Sequence, residues 1–429
     1  MAEREIVITG MGLVTPLGNT VEDNWQNLRA GRTGIGYYPR PEQPEFLHYF
    51  GEVRGFAPPE GLTPKLLSQM KFLNRGSLLG FGAACEAVLQ SGIHLTDIAP
   101  ERRALYVAAG DLTKIGSEFM HPAIQDATGG FRDRLNYQKL NDSTLNKVNP
   151  FFLLESIINN LFSFLSAYFE FMGSNTCLAS LSPCGANALE LACRNIQQGW
   201  AEAALAVGCG NWITTVALYE MDRLGMLSKG RSGIHSFKPF DRNRDGFLAG
   251  EGGAALFLES GETARARGAL IFGKVRGIGN SLELPVDRGA HGSSGLSPSS
   301  IRLAMEEAGC DIGDLAFACA HGNGTPEGDR SELSALKDLL NSRSWDMPLC
   351  GLKPYTGHLA AASDLAEIVL GIKALTNGMA PGTLNFAEAD DDFRDLKISG
   401  VHHECRGRHF LTTSYGTGGQ SSAVLVEIA

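Results

Sequence analysis

The sequence has no Cys-x-x-Cys pair and no cysteine–histidine cluster at zinc spacing. Its nine cysteines, Cys85, Cys177, Cys184, Cys193, Cys209, Cys310, Cys319, Cys350 and Cys405, are odd in number and irregular in spacing. That pattern excludes a disulfide scaffold and a structural metal site, and leads us to expect reduced, mostly buried thiols in a cytoplasmic setting. Positive charge is also scarce. Lys and Arg number 37 against 47 Asp and Glu, a formal net charge of −10. Such a surface repels phosphate backbones, so general nucleic-acid binding is excluded and only a local basic patch is left for an acidic partner. No run is apolar enough to span a bilayer. The most apolar stretch, residues 151–172, is broken by Glu155, Asn159, Asn160 and Glu170, and is expected to be a buried or interface helix. The opening MAEREIVITGMG passes at once from charge to a short strand, unlike a signal peptide. No Pro-, Ser- or Gly-rich linker divides the chain.

What is present is an ordinary globular composition: 429 residues, 43% hydrophobic and 20% charged, with 52 glycines suited to tight turns and close-packed loops. Continuous apolar runs predict buried strands at 5–10 (EIVITG), 105–110, 203–208, 315–320, 347–351, 410–414 and 423–427. Helical periodicity predicts helices at 22–30, 65–91, 187–198, 299–308, 331–340 and 359–376. Alternating helices and buried strands mean α/β layers. One set ends and another begins around 247–259 (FLAGEGGAALFLE), but no internal repeat is evident in the residues.

Three elements carry candidate chemistry. His321-Gly-Asn-Gly-Thr325-Pro-Glu-Gly-Asp329 follows a predicted strand and presents an imidazole at a sheet edge, where α/β proteins bind ligands. Lys353-Pro-Tyr-Thr-Gly357-His358 also follows a strand and opens a helix. Tyr415-Gly-Thr417-Gly418-Gly419 is a loop whose backbone N–H groups suit a developing oxyanion.

At this point the chain resembles the β-ketoacyl synthases of the elongating type, within the thiolase-like superfamily, along nearly its whole length. The resemblance rests on ITGMGLVTPLGNTVEDNWQNLRAGRTGI (8–35), Asn149-Pro-Phe-Phe152, Lys238-Pro-Phe-Asp241, Arg244-Asp-Gly246, Gly250-Glu251-Gly252 and the two histidine motifs. It implies a five-layered αβαβα fold from two similar halves, taken as 1–255 and 256–429. It also implies a homodimer, no cofactor, and a substrate carried on the phosphopantetheine arm of an acyl carrier protein.

The family's nucleophile is a cysteine on the turn before a buried helix. Its distances from flanking glycines fall here on Ser182, nine residues after Gly173 and seventeen before Gly199. Cys184 is the alternative nucleophile. A serine hydroxyl is far less acidic than a thiol near 8.5 and needs a general base, so condensation is expected to be lost or badly impaired. Decarboxylation of a malonyl thioester is not, because the resemblance gives enolate stabilisation to His321 and His358, with Lys353 beside them. The expectation is a decarboxylase that turns malonyl-carrier into acetyl-carrier, similar to members of polyketide β-branching cassettes. The alternatives are a condensing synthase, with native or substituted residue 182, and a non-catalytic chain-length-factor-like subunit that acts as part of a heterodimer. Thr417 replaces the family's gating Phe, beside Gly418, and Phe162 and Phe164 stand near the expected acyl pocket, where packing the core is the simpler role. An acidic carrier would dock on Lys65, Lys71, Arg75, Lys229 and Arg231.

Overall fold

Continuous runs of β-branched and aliphatic residues leave no polar face to hydrate, and the first such strand, β1 (Ile6–Val14), is buried at every position. The structure is a computed structural model and describes residues 4–41, 43–109, 117–131, 134–148, 150, 152–155, 157–180, 182–283, 295–339 and 346–429. Gly110, Asn149, Phe151 and Leu340, each part of a predicted element or motif, lie outside the described residues.

Among the described residues, nine further strands join β1 in one sheet: β2 (Arg103–Ala109), β3 (Asn175–Leu178), β4 (Ala203–Asn211), β5 (Glu251–Ser260), β6 (Gly273–Leu282), β7 (Leu315–Cys319), β8 (Leu349–Cys350), β9 (His409–Tyr415) and β10 (Gln420–Ile428). Their order is β8-β7-β9-β10-β6-β1-β5-β4-β2-β3. The order contains a repeat. From β1 outward the pairings to β5, β4, β2 and β3 are antiparallel, antiparallel, parallel and parallel. From β6 outward the pairings to β10, β9, β7 and β8 run through the same series. The halves meet where Ile6, Val7 and Ile8 pair with Val275, Lys274 and Gly273.

Helices fill the layers in a matching way. Helix α1 (Arg75–Ser91) covers β1, β5 and β4 on one outside, and a second helix, α2 (Asn160–Phe169), packs on α1. Helix α3 (Cys184–Gln197) lies on β4 and β2. Helix α4 (Pro298–Ala308) covers β6 and β10 on the other outside, and α5 (Pro326–Asp338) comes after β7. Helix α6 (Ser363–Thr376) packs on α3 and on strands of both halves, so α3 and α6 form the central layer of an αβαβα fold. The largest apolar cluster joins these two helices to both halves of the sheet.

The repeat has a residue-level cause. A Cβ at Gly10 or Gly12 on β1 would stand 2.0 or 1.8 Å from the Ala87 or Ala83 carbonyl oxygen of α1. A Cβ at Gly277 or Gly279 on β6 would stand 2.1 or 1.9 Å from the Ala304 or Ser300 carbonyl oxygen of α4. Each half thus seats its outer helix directly on a Gly-x-Gly strand.

Several boundaries differ from expectation. The predicted helix 65–91 is two helices, Pro64–Met70 and α1, because Asn74 caps α1 by accepting from the Ser77 N–H at 2.8 Å. Helix α5 starts at Pro326, not 331, because the Thr325 hydroxyl accepts from the Gly328 N–H. The predicted strand 347–351 shrinks to β8. The division at 255/256 falls inside β5, and the repeat breaks between β5 and β6. Strands β3 and β6 had no apolar run to reveal them: β3 is a partly exposed sheet edge, and β6 is rich in Gly and polar residues. Within 151–172, α2 buries Leu161, Phe164 and Leu165, and Phe164 meets the Phe81 ring edge-on at 5.0 Å. Phe164 is therefore a core residue, and Phe162 lies partly buried against the same cluster. Among the described residues no helix is long and apolar enough to cross a membrane.

Candidate active site

His321 sits two residues beyond β7, in a turn where Gly322 and Gly324 take φ of +51° and +73°. The turn is clamped from α5. Glu332 accepts from the His321 and Gly322 N–H groups at 2.8 and 2.9 Å, and Asp329 accepts from the Gly324 and Phe240 N–H groups at 3.0 and 2.7 Å. Arg244 approaches Asp329 at 3.6 Å and pairs with Asp390 at 2.9 Å.

His358 is fixed by backbone bonds to the segment before β5: its N–H donates to the Leu248 carbonyl and its carbonyl accepts from Gly250, each at 2.9 Å. The Trp212 and Phe247 rings lie 4.7 and 5.0 Å from the imidazole. The two histidine rings are 5.4 Å apart at 73°.

The hydrogen bonds set both tautomers. An ammonium has three donors and no acceptor. Those of Lys353 go to His321 Nδ1 at 3.2 Å, the His321 carbonyl at 2.6 Å and Glu367 Oε1 at 2.7 Å. His321 Nδ1 is therefore an acceptor, and the ring proton is on Nε2. The Ala360 N–H donates to His358 Nδ1 at 3.2 Å, so His358 also carries its proton on Nε2. Burial first, and the Lys353 charge second, hold both imidazoles well below the usual histidine range. Two neutral Nε2–H donors on adjacent rings can stabilise one developing oxyanion.

Four buried carboxylates surround this pair; sequence reasoning included Asp329 only as the end of the first histidine motif, with no role, and missed the other three. Asp329 and Glu332 on α5, and Asp364 and Glu367 on α6, share an Asp-x-x-Glu spacing that puts both groups on one helix face. The signal was legible: each pair interrupts an otherwise apolar, core-facing stripe just after a histidine motif. Burial pushes Asp329 up to about 7 and Glu367 up to about 8, and raises Glu332 and Asp364 as well.

Ser182 is buried on the turn before α3, and its Oγ has no hydrogen-bond partner among the described residues. It is tied to the histidines through Tyr415 and Gly416. The Tyr415 ring lies 4.4 Å from that of His321, and a Cβ at Gly416 would stand 2.1 Å from the Ser182 carbonyl oxygen. Cys184 is the first residue of α3, with Sγ 3.5 Å from the Leu178 carbonyl. Burial, then the Asp364 charge, pushes this thiol up to about 12, the reverse of what a nucleophile needs. Asp364 Oδ2 itself accepts from the Gly185 and Ala186 N–H groups at 2.9 and 3.3 Å, docking α3 on α6. Thr417 is exposed at the turn between β9 and β10, with Gly418 beside it at φ +119°.

The five candidate docking cations are not equivalent. Lys65, Lys71, Lys229 and Arg231 are all exposed. The Lys71 ammonium lies 5.0 Å from the Phe72 ring centroid. Lys229 pairs with Asp222 and lies over the Phe46 ring. Arg75 turns inward, to Glu251 at 3.1 Å and the Val53 carbonyl at 2.7 Å. It buttresses the segment that holds His358.

An αβαβα fold with two neutral imidazoles beside a buried lysine defines an enzyme of the ketosynthase class. The profile for "Beta-ketoacyl synthase, N-terminal domain" matches residues 3–264, and that for the C-terminal domain matches 289–387. The chain belongs to the β-ketoacyl synthase family. It is 28% identical to 3-oxoacyl-(acyl-carrier-protein) synthase 2 of Vibrio cholerae over 99% of each chain. It is 27% identical to the protein of the same name from Synechocystis sp., over 98% of this chain and 97% of that one. A β-ketoacyl synthase structure from Burkholderia phymatum superimposes with a TM-score of 0.84 at 25% identity, over 99% of this chain and 100% of that one. A type II polyketide ketosynthase, solved with its acyl carrier protein, gives 0.83 at 22% identity over 100% of both chains.

Proposed function

We propose that this enzyme decarboxylates malonyl-acyl carrier protein to acetyl-acyl carrier protein in a polyketide pathway, without a covalent intermediate. The observation that carries the reading is an asymmetry in the site. The oxyanion-stabilising half is complete: two neutral Nε2–H donors and a lysine with all three donors engaged. The nucleophilic half is not, since among the described residues the Ser182 hydroxyl touches no base, and Cys184 is a buried thiol. Expelling CO2 from a malonyl thioester puts negative charge on the thioester oxygen, where the two imidazoles act. Attack on an acyl thioester would need an activated residue 182, and no described side chain activates it.

The carrier protein as partner follows from the substrate chemistry and from the carrier complex of the polyketide ketosynthase. A homodimer, as the resemblance implied, and a cytoplasmic setting, as the cysteine pattern led us to expect, complete the proposal. The condensing alternative draws its support from the full-length relatives named synthase 2.

Incubating the pure protein with malonyl-carrier, with and without an acyl-carrier as acyl donor, and weighing the carriers intact separates the readings. Acetyl-carrier in both mixtures supports decarboxylation. An elongated carrier in the second supports condensation, and unchanged carriers would mark a non-catalytic subunit.

A further inference from the structure

A decarboxylase needs something that a condensing enzyme does not. In condensation the enolate carbon gives its electron pair to an acyl carbon. In simple decarboxylation that carbon must take a proton, one per turnover. We propose that Glu367 and Lys353 supply this proton and that His321 delivers it; the inference rests on the decarboxylase reading above.

The groups form one buried line. Glu367 Oε1 lies 2.7 Å from Lys353 Nζ, which lies 3.2 Å from His321 Nδ1. The exposures of Glu367, Lys353 and His321 are 3%, 2% and 2%, so bulk water does not reach the line. Nε2 is the one ring nitrogen of His321 left to face a substrate. Glu367 Oε2 is buried with no hydrogen-bond partner among the described residues, which suits a carboxyl that carries a proton. Lys353 and Asp364, the latter on the same helix, face Glu367, as do Glu332 from α5 and Cys319 from β7. Burial outweighs the Lys353 charge, and Glu367 keeps its proton up to about 8.

The steps balance. The bond from the methylene carbon to the carboxylate breaks, its electron pair enters the enolate, and CO2 leaves. The enolate carbon takes the proton from His321 Nε2 as His321 Nδ1 takes one from Lys353. The neutral amine is reprotonated by Glu367 once the carboxyl turns its O–H inward. After product leaves, water on the substrate side returns one proton to His321 Nε2, and the Nδ1 proton passes back through Lys353 to Glu367, which restores the starting tautomer. The sum is malonyl carboxylate plus one proton giving acetyl and CO2, with no redox partner. Glu367 touches no substrate; it is a positioning residue that acts through Lys353.

Glu367→Gln tests this, because the amide oxygen can still accept from Lys353 but the side chain has no acidic proton. In the wild type, kcat for acetyl-carrier formation falls as pH rises through about 8. In the variant, kcat is about 100-fold lower, the low end for a positioned acid, and that alkaline limb is gone while KM holds. A variant with the wild-type rate and limb would overturn the inference. So would a wild-type kcat that stays flat into alkaline pH, a measurement that does not depend on the variant folding. A wild type that makes no acetyl-carrier sinks the parent reading and this one with it, whereas an active wild type with an indifferent Glu367→Gln sinks this inference alone.

Discussion

Ser182 and Cys184 stand two positions apart, and the difference between them decides the chemistry. Ser182 lies on the turn, in touch with Gly416 and through it with Tyr415 and His321. Cys184 has entered the helix and faces the Leu178 carbonyl. A thiolate there would lose its hydration and meet Asp364. The glycine spacing points to Ser182 from the sequence alone, but the burial and charge around Cys184 cannot be read there, because Asp364 is 180 positions away along the chain. Ser182→Cys places a thiol on the turn and should gain a stable acyl adduct from acyl-carrier, seen as a mass shift on the protein. The unmodified protein should show none, and Cys184 should resist alkylation while the fold is intact. An acyl group on Cys184 would contradict both expectations.

At the scale of elements, the strands and helices with long apolar signals were legible, and those defined by close approach were not. The halves of the fold share a geometry rather than residues. The Gly-x-Gly of β1 and that of β6 are the common feature, hidden among glycines that serve ordinary turns. The Asp-x-x-Glu pairs of α5 and α6 are not part of that repeat, since both helices lie in the second half. The α5 pair clamps the turn beyond β7, and in the α6 pair Asp364 holds α3 while Glu367 holds Lys353. Gly279→Ala tests the argument. Its Cβ would stand 1.9 Å from the Ser300 carbonyl oxygen, so α4 must lift off β6 and β10. The cost should be at least about 3 kcal/mol, the upper range for overpacking against backbone, read as a lowered unfolding midpoint. Ala at Gly313, where an added Cβ meets nothing within 4 Å, should change the midpoint little.

For the whole molecule, a net charge of −10 and an acidic carrier repel, so docking depends on local cations. No local pattern of residues reveals that Arg75 binds a carboxylate 176 positions away, or that Lys229 is held by Asp222. Lys65 and Arg231 are exposed, as are Lys71 and Lys229. Charge reversal at Lys65 and Arg231 together should raise KM for malonyl-carrier and leave kcat nearly unchanged, and the wild-type KM should rise with salt as screening shortens to about 10 Å at 0.1 M. Salt-independent KM and unaltered kinetics would place docking elsewhere. The central claim, that the paired imidazoles and not residue 182 perform the chemistry, is tested most directly by following acetyl-carrier formation from malonyl-carrier in Ser182→Ala and His321→Ala side by side. The account predicts that Ser182→Ala keeps most of the wild-type rate and that His321→Ala loses about 10²–10³-fold, the usual cost of one preorganised oxyanion donor. Loss of activity in Ser182→Ala with wild-type turnover in His321→Ala would contradict it.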